Sequence, residues 1–485
     1  MPSALRQLVW LRTDLRLEDN PALLEACSRG PALALFIISP AQWKTHDDAD
    51  CKVDFWLRLL SSVQQQLDAL NIPLLVRTVP QWQAVPAALH ALCEEYAVGA
   101  VHCNEEYGIN ERERDRAAKA SLEQAGISFN SYLDQCLFAP GTVLTRTGGY
   151  YQVFGQFKRA CLEQLRLGMP TPAGAPRKQP VLPVKSDPVP DQVDGFALPS
   201  ERIRQQWPAG ASEARHRLEA FTDEAIHDYH VARDLPSRPG TSELSAYLNA
   251  GALSVRQCLH AALLSNQGEL DSGSTGALTW MGELLWREFY KHILAGYPRV
   301  SRHRAFRQHT EALPWRNAPE DFAAWQEGRT GIPIIDAAMR QMKAIGWMHN
   351  RLRMITAMFL SKNLLIDWRL GEQHFMRHLI DGELAANNGG WQWSASTGTD
   401  SVPYFRVFNP VSQSARFDSQ GVFIKAWVPE LAHLAPKHIH NPARGHDLQG
   451  ALDYPTPLVD LSESRVRALS AFKNLPKRVD PSRTT

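Results

Sequence analysis

The sequence predicts two architectures in one chain: an α/β N-terminal domain over residues 1–135, with a parallel Rossmann-like sheet and helices on both faces, and an all-α C-terminal domain over residues 201–475. Three observations carry the prediction. Short apolar runs alternate with amphipathic stretches as far as residue 135, a proline-rich connector follows, and beyond it apolar residues recur at helical period while strand-like alternation nearly disappears. The composition, 44% apolar and 21% charged over 485 residues, excludes a disordered or fibrous chain. Its 14 Trp, nine of them between Trp280 and Trp427, call for a reason, because each indole requires a large site and a partner for its N–H.

In chain order, Leu8–Leu11, Ala32–Ile38, Pro73–Val79 and Ala100–Cys103 have the continuous apolar character of buried strands, separated by helical patterns such as Cys51–Leu70 and Ala84–Tyr96. Strands alternating with helices imply right-handed parallel crossovers. A dinucleotide fingerprint would place GxGxxG after the first strand. Here that strand runs into LRTDLRLEDNPALLEA, with no glycine before Gly30, which argues against phosphate binding and for an accessory role. Residues 136–200 form a linker, and eight of the 32 prolines fall between Met169 and Ser200, as in an extended connector laid over the surface. Helical patterns then cover Glu213–Tyr229, Val255–Leu264, Gly276–Ala295, Pro333–Ile345, Trp347–Leu365 and Gln373–Ile380.

The seven Cys, an odd number without CxxC or zinc spacing, point to reduced thiols and no metal site. The N-terminus carries charge from Arg6 onward and lacks the apolar stretch of a signal peptide, and Ala32–Ile38 is far too short to span a bilayer. The expected compartment is the bacterial cytoplasm, with no membrane partner.

A net charge of +1 hides local excesses. Residues 287–316 carry seven Lys/Arg against two acids, and residues 340–369 carry six against Asp367 alone. A solvated helix face with a structural ion pair explains either run singly; two runs interleaved with Trp also suit a polyanion groove with aromatic platforms. In ALTWMGELLWREFY, Trp280, Glu283, Trp286 and Arg287 share one helix face. That face is either core with a paired Glu283 or a pocket wall with a carboxyl group aimed at a ligand, and the cost of burying Glu283 between two indoles favours the wall. In DGELAANNGGWQWS, Asp381, Asn387 and Asn388 stand beside Gly389–Gly390, and Trp391 and Trp393 follow at alternate positions. Amides, close backbone approach and ring faces suit a planar heteroaromatic ligand; the alternative is a tightly turned loop capped by Asn. Thr241, Ser242 and Ser245 at a helix start can hold phosphate if a diphosphate ligand is expected.

Together VWLRTDLRLEDNPAL, ALTWMGELLWREFY, GIPIIDAAMRQMKAIGWMHNRLRMITAMFLSKNLLIDW and DGELAANNGGWQWSASTGTDSVPYFRVFNP resemble the DNA photolyase/cryptochrome family along nearly the whole chain, most closely bacterial class I cyclobutane pyrimidine dimer (CPD) photolyases. The resemblance implies an α/β antenna domain, a helical FAD- and DNA-binding domain, and light-driven repair: photoexcited reduced FAD donates an electron to a flipped-out dimer, the ring splits, and the electron returns. It assigns Tyr229, Thr241, Ser242, Glu243, Leu244, Ser245, Arg287, Arg353, Asp381 and Asn387 to the cofactor, with Trp280 as a pocket wall. Glu383 stands where family members often have Asp, so its side-chain role is open.

For the lesion, the resemblance assigns Trp286 and Trp393 as an aromatic clamp and Glu283, Asn350 and Met354 as dimer contacts; Glu283, protonated beside the lesion, is expected to donate a hydrogen bond to a thymine carbonyl and stabilise the radical anion. Arg233 and Arg351 would bind flanking phosphates. Trp391, Trp368 and Trp315 match a chain that rereduces oxidised flavin, and the remaining eight Trp are left as packing. His46, Asn110 and Glu111 match an antenna site for methenyltetrahydrofolate, although Ser301–Arg302 replaces a Cys–Lys pair; a deazaflavin or an empty site is the alternative. The expected partner is UV-damaged DNA, and the expected state a monomer. The main rival is a cryptochrome-type blue-light photoreceptor with the same fold and FAD. A (6-4) photolyase is disfavoured by Asn350 and Met354, and a non-enzymatic nucleic-acid module leaves Asp381–Trp393 without purpose.

Overall fold

The computed structural model describes residues 5–445 and 453–476. The chain divides into two compact units. The first comprises Met1–His227, Ser242–Pro298 and Ile380–Glu383, and the second Asp228–Thr241, Arg299–Leu379 and Leu384–Thr485.

The first unit is built on strands β1 (Arg6–Leu11), β2 (Ala32–Ile38), β3 (Leu74–Thr78), β4 (Val98–Asn104) and β5 (Ser128–Tyr132). They pair entirely in parallel in the order β3-β2-β1-β4-β5. Helices α1 (Pro21–Arg29), α2 (Asp50–Ala69), α3 (Val85–Glu95) and α4 (Ile109–Gln124) alternate with the strands. β2 is buried along its whole length, as a strand covered on both faces must be. β5, with the sequence SFNSY, went unread because its alternating polar residues lack a continuous apolar run.

The doubly wound order puts a switch point between β1 and β4, where open α/β sheets usually bind ligands. Here the protein fills it with its own charges. Arg12 pairs with Asp115 at 2.7 Å, Arg114 donates to Glu106 at 2.7 Å, and Asn104 donates to Asp14 at 2.6 Å. Burial disfavours charge on Glu106, but Arg12 and Arg114 outweigh it and hold the carboxyl at about 2. This accords with the missing glycine fingerprint.

The proline-rich connector lies along the edge strand. Asp187 N–H donates to Leu74 O (2.8 Å), Leu74 N–H to Ser186 Oγ (3.0 Å) and Val76 N–H to Asp187 Oδ2 (2.9 Å), so side chains and backbone of the linker cap the open edge of β3. The unit also contains α5 (Phe154–Leu167), α6 (Ala211–Ala220), α7 (Val255–Ser265) and α8 (Thr275–Gly296). Its Ser254 forms a capping box with Gln257 at the start of α7.

The second unit is helical among its described residues, with α9 (Pro333–Ile345), α10 (Asn350–Met358), α11 (Trp368–Met376), α12 (Leu384–Ala395) and α13 (Leu461–Lys473) as longer elements. Three expectations need correction. The pattern at 213–229 is not one helix, because α6 passes into a π turn at Phe221–Ala225. The pattern at 347–365 starts only at Asn350 and likewise ends in a π turn, Phe359–Asn363. The helix expected at 373–380 lies at 368–376, where Asp367 caps it by accepting from Arg369 N–H at 3.0 Å. The Asn-Asn-Gly-Gly run is not a turned loop but the middle of α12.

Candidate flavin- and lesion-binding residues

In the first unit, α8 carries the Trp280–Arg287 face. Trp280 is buried against Phe221, with ring centroids 5.0 Å apart. Glu283 and Trp286 are half-buried, and the indole of Trp286 stacks on Phe154. A Cβ on Gly282 would lie 3.3 Å from Lys158 Nζ, so this ammonium sits directly over the turn that carries Glu283. Arg287 donates to the carbonyl of Gln135.

The segment 380–383 belongs to this unit. Gly382 O accepts from Lys52 Nζ at 2.5 Å and Asn249 Nδ2 at 3.0 Å, while Glu383 pairs with Lys291 at 2.6 Å. The backbone on either side of Gly382, which carries Asp381, is thus pinned by two donors and an ion pair, and the longer Glu383 finds a use in reaching Lys291. Ser245 opens a helix of only six residues, preceded by Glu243 at φ 49°. The Glu243 carboxyl, pushed up by burial, faces Arg217 at 3.5 Å and Gln206 at 3.4 Å.

The three antenna candidates meet at one place. His46 Nε2 is 2.9 Å from Asn110 Nδ2 and its Nδ1 3.9 Å from Glu111, whose carboxyl burial pushes up. A Cβ on Gly108 would fall 2.0 Å from Glu111 Oε2, so the carboxylate lies across the glycine. The structure adds Trp82, whose ring meets His46 edge-on at 4.8 Å, and Arg114 over that indole at 4.4 Å.

In the second unit, α12 explains the spacing of its two tryptophans. Two residues apart on a helix means about 200° apart around its axis, so Trp391 turns into the core and Trp393 stays half-buried. Trp391 meets Phe375 at 4.9 Å and Trp325 at 6.0 Å, within one apolar cluster that also holds Trp368, with Trp315 packed against it. Trp325 donates its N–H to Thr356 O at 3.3 Å, whereas the buried Trp391 N–H has no acceptor among the described residues. Asn387 Nδ2 donates to Glu372 O at 3.0 Å, so its amide nitrogen is committed. Behind it the buried Glu372 carboxylate accepts from Asn388 at 2.8 Å and lies 3.1 Å from His303.

α10 begins with Asn350, exposed, and carries Arg353 and Met354, both half-buried; Arg353 Nε donates to Met348 O at 2.8 Å. His349 caps the helix by accepting from Arg351 N–H through Nδ1. Burial lowers its ring to about 4, so the imidazole is neutral and able to accept at neutral pH. Arg351 pairs with Asp234 at 2.6 Å and lies over Phe417 at 4.5 Å; Arg233 lies over Tyr229 at 5.5 Å.

The basic excess is smaller in three dimensions than along the chain. Arg340 pairs with Glu430, Lys343 with Glu327, Arg316 with Asp321, and Arg369 with both Glu311 and Asp367. Trp325 is core packing, as expected, whereas sequence reasoning missed Phe154 and Lys158. Phe154 and Lys158 lie 120 or more residues before the face they touch, and nothing local marks them.

Within the first unit, Ser242, Ser245, Trp280, Arg287 and Asp381 supply hydroxyls, an indole, a cation and a carboxylate, groups of the kinds that a flavin dinucleotide requires; within the second, Asn387 is a carboxamide whose nitrogen is already committed. Residues 7–177 match the family model described as DNA photolyase, and residues 280–474 that described as the FAD binding domain of DNA photolyase. A deoxyribodipyrimidine photo-lyase of Salmonella typhimurium is 44% identical over 476 residues, covering 96% of this chain and 98% of its own. Among solved structures, a bacterial class III photolyase from Agrobacterium tumefaciens matches with TM-score 0.86 at 33% identity, over 98% of both chains. A cryptochrome from Synechocystis matches with TM-score 0.84 at 26% identity, over 96% of this chain and 99% of its own. With two family models along its length and a 44% identical relative over nearly all of it, the chain belongs to the DNA photolyase family.

Proposed function

We propose that this protein is a light-dependent DNA-repair lyase that binds FAD and splits cyclobutane pyrimidine dimers in UV-damaged DNA. The observation that carries the reading is the division of labour on α12, where Trp393 stays half-buried while Trp391, about 200° round the helix, is buried in an aromatic cluster with Trp325 and Trp368. Bound, reduced FAD would supply the chemistry, a light-driven one-electron donation to the dimer with the electron returned once the ring has opened.

The chain's own groups position the reactants. Trp280, Arg287, Arg353, Asp381 and Asn387 hold and orient the cofactor, with Tyr229, Thr241, Ser242, Glu243, Leu244 and Ser245 toward its phosphates and sugar alcohol. Trp286 and Trp393 receive the extruded dimer, and Asn350 and Met354 contact its rings. A linked dimer stacks and pairs poorly, so extruding it costs less than the few kcal/mol of normal bases. Glu283 donates a hydrogen bond through its carboxyl O–H to a thymine carbonyl where negative charge develops. Arg233 and Arg351 bind flanking phosphates, with Arg351 exchanging Asp234 for phosphate. Residues 1–135 serve as antenna domain, 136–200 as linker and 201–475 as FAD- and DNA-binding domain. The His46, Asn110, Glu111 cluster receives methenyltetrahydrofolate. The enzyme acts as a monomer in the cytoplasm; among the described residues no helix is long and apolar enough to cross a membrane.

The reduced protein is irradiated with an oligonucleotide carrying one defined thymine dimer. Recovery of thymines under light, and not in darkness, is expected; recovery only in darkness, or none, overturns the reading.

A further inference from the structure

Trp286 is half-buried on α8, so its indole keeps several ways to turn unless something holds it. Phe154, the first residue of α5, lies flat on it, with ring centroids 3.8 Å apart and planes 12° from parallel. Phe289 meets both rings edge-on, at 5.7 Å from Trp286 (81°) and 5.9 Å from Phe154 (69°). Tyr290 closes on Trp286 at 5.6 Å. Phe289 and Tyr290 thus brace the stacked pair from its sides.

We propose that Phe154 is a positioning residue of the lesion clamp: it fills one face of Trp286 and so fixes the plane that the indole offers to a dimer. The proposal rests on the reading of Trp286 as a lesion contact. With one face occupied by the protein, a base can stack only on the other. An indole held in advance loses little side-chain freedom on binding, whereas a loose one must be ordered by the ligand. Phosphate contacts act on any DNA, so loss of this order weakens lesion binding selectively.

The test uses the full FAD-loaded chain and measures affinity for an oligonucleotide with one thymine dimer and for its undamaged twin. F154A and F154L, the latter keeping apolar bulk without a ring face, should each weaken dimer binding about three- to tenfold, the range of an aromatic pair, with binding of the undamaged twin nearly unchanged. F154Y should restore it. In the W286A background F154L should add nothing, because the residue acts through that indole. Equal affinity in wild type and F154L, or a full additional loss in the double variant, overturns the proposal. An unchanged affinity in W286A overturns the reading of Trp286 as a lesion contact, and the proposal with it. FAD content and thermal midpoint identify any variant that merely misfolds; should F154A do so, F154L decides between the two outcomes.

Discussion

Gly371 on α11 lies directly under the Trp391 ring: a Cβ there would come within 2.1 Å of the indole Cη2 and 2.7 Å of a Leu360 methyl. In an open helix, replacing Gly by Ala stabilises by about 1 kcal/mol. Here the added carbon must displace the Trp391 ring or the helix, an overpacking cost of about 1–3 kcal/mol. Gly371→Ala is therefore expected to destabilise the protein and to slow flavin photoreduction by moving its nearest proposed donor. Urea unfolding and photoreduction under steady blue light check both; a more stable variant with normal photoreduction would show that the contact is slack.

Trp315 lies at the rim of the same cluster, whereas Trp368 and Trp391 are buried within it. If electrons enter from solvent through Trp315, Trp315→Phe should slow photoreduction several-fold, because Phe holds its electrons more tightly. Repair by chemically reduced enzyme should be spared. Trp325 also touches Trp391 but is hydrogen-bonded to Thr356, so Trp325→Phe separates a branch from simple packing. Unchanged photoreduction in Trp315→Phe would remove that residue from the chain.

How far such relationships are visible in the sequence depends on their range. Strands β1 to β4 and helix α9 could be read because a continuous apolar run, or a strongly amphipathic helix, marks itself locally. β5 could not, since three of its five residues are Ser or Asn, nor could α12, since Asn-Asn-Gly-Gly is poor helix sequence and tertiary packing overrides it. For the site, the resemblance supplied residue roles that spacing alone left open. Partners distant in the chain stayed hidden: Asp234 for Arg351, Glu430 for Arg340 and Phe154 for Trp286. Counting charge along the chain therefore overstated the basic excess.

The switch-point network has a defined pH signature. The Glu106 carboxylate accepts from Thr13 at 2.6 Å and Arg114 at 2.7 Å and is held at about 2, against an ordinary 4.5. A folded value below the unfolded one means stability fully present above pH 4.5 and lost as pH falls toward 2. The shift corresponds to about 3 kcal/mol. Glu106→Gln should lower unfolding free energy by that order at pH 7, and the gap between the proteins should narrow steadily below pH 4.5. Denaturant midpoints at several pH values test this; a gap independent of pH would mean that Glu106 contributes packing rather than charge.

Glu283 gives the sharpest separation of binding from chemistry. It shares its helix face with Trp280 and Trp286, and the Lys158 ammonium lies over the adjoining Gly282. On the proposed reading, affinity for damaged DNA draws on phosphate contacts and on stacking against Trp286 and Trp393, neither of which needs a carboxyl group. A hydrogen bond to a thymine carbonyl, by contrast, strengthens when the dimer gains an electron, so its value is realised mainly in the charged state. Glu283→Ala is thus expected to reduce repair quantum yield several-fold while dimer affinity changes by about twofold or less. Glu283→Gln, which retains a donor, should recover part of the yield. Parallel loss of affinity and yield in Glu283→Ala would make this residue a binding contact, and equal yields in the variant and the parent would leave it no part in ring opening.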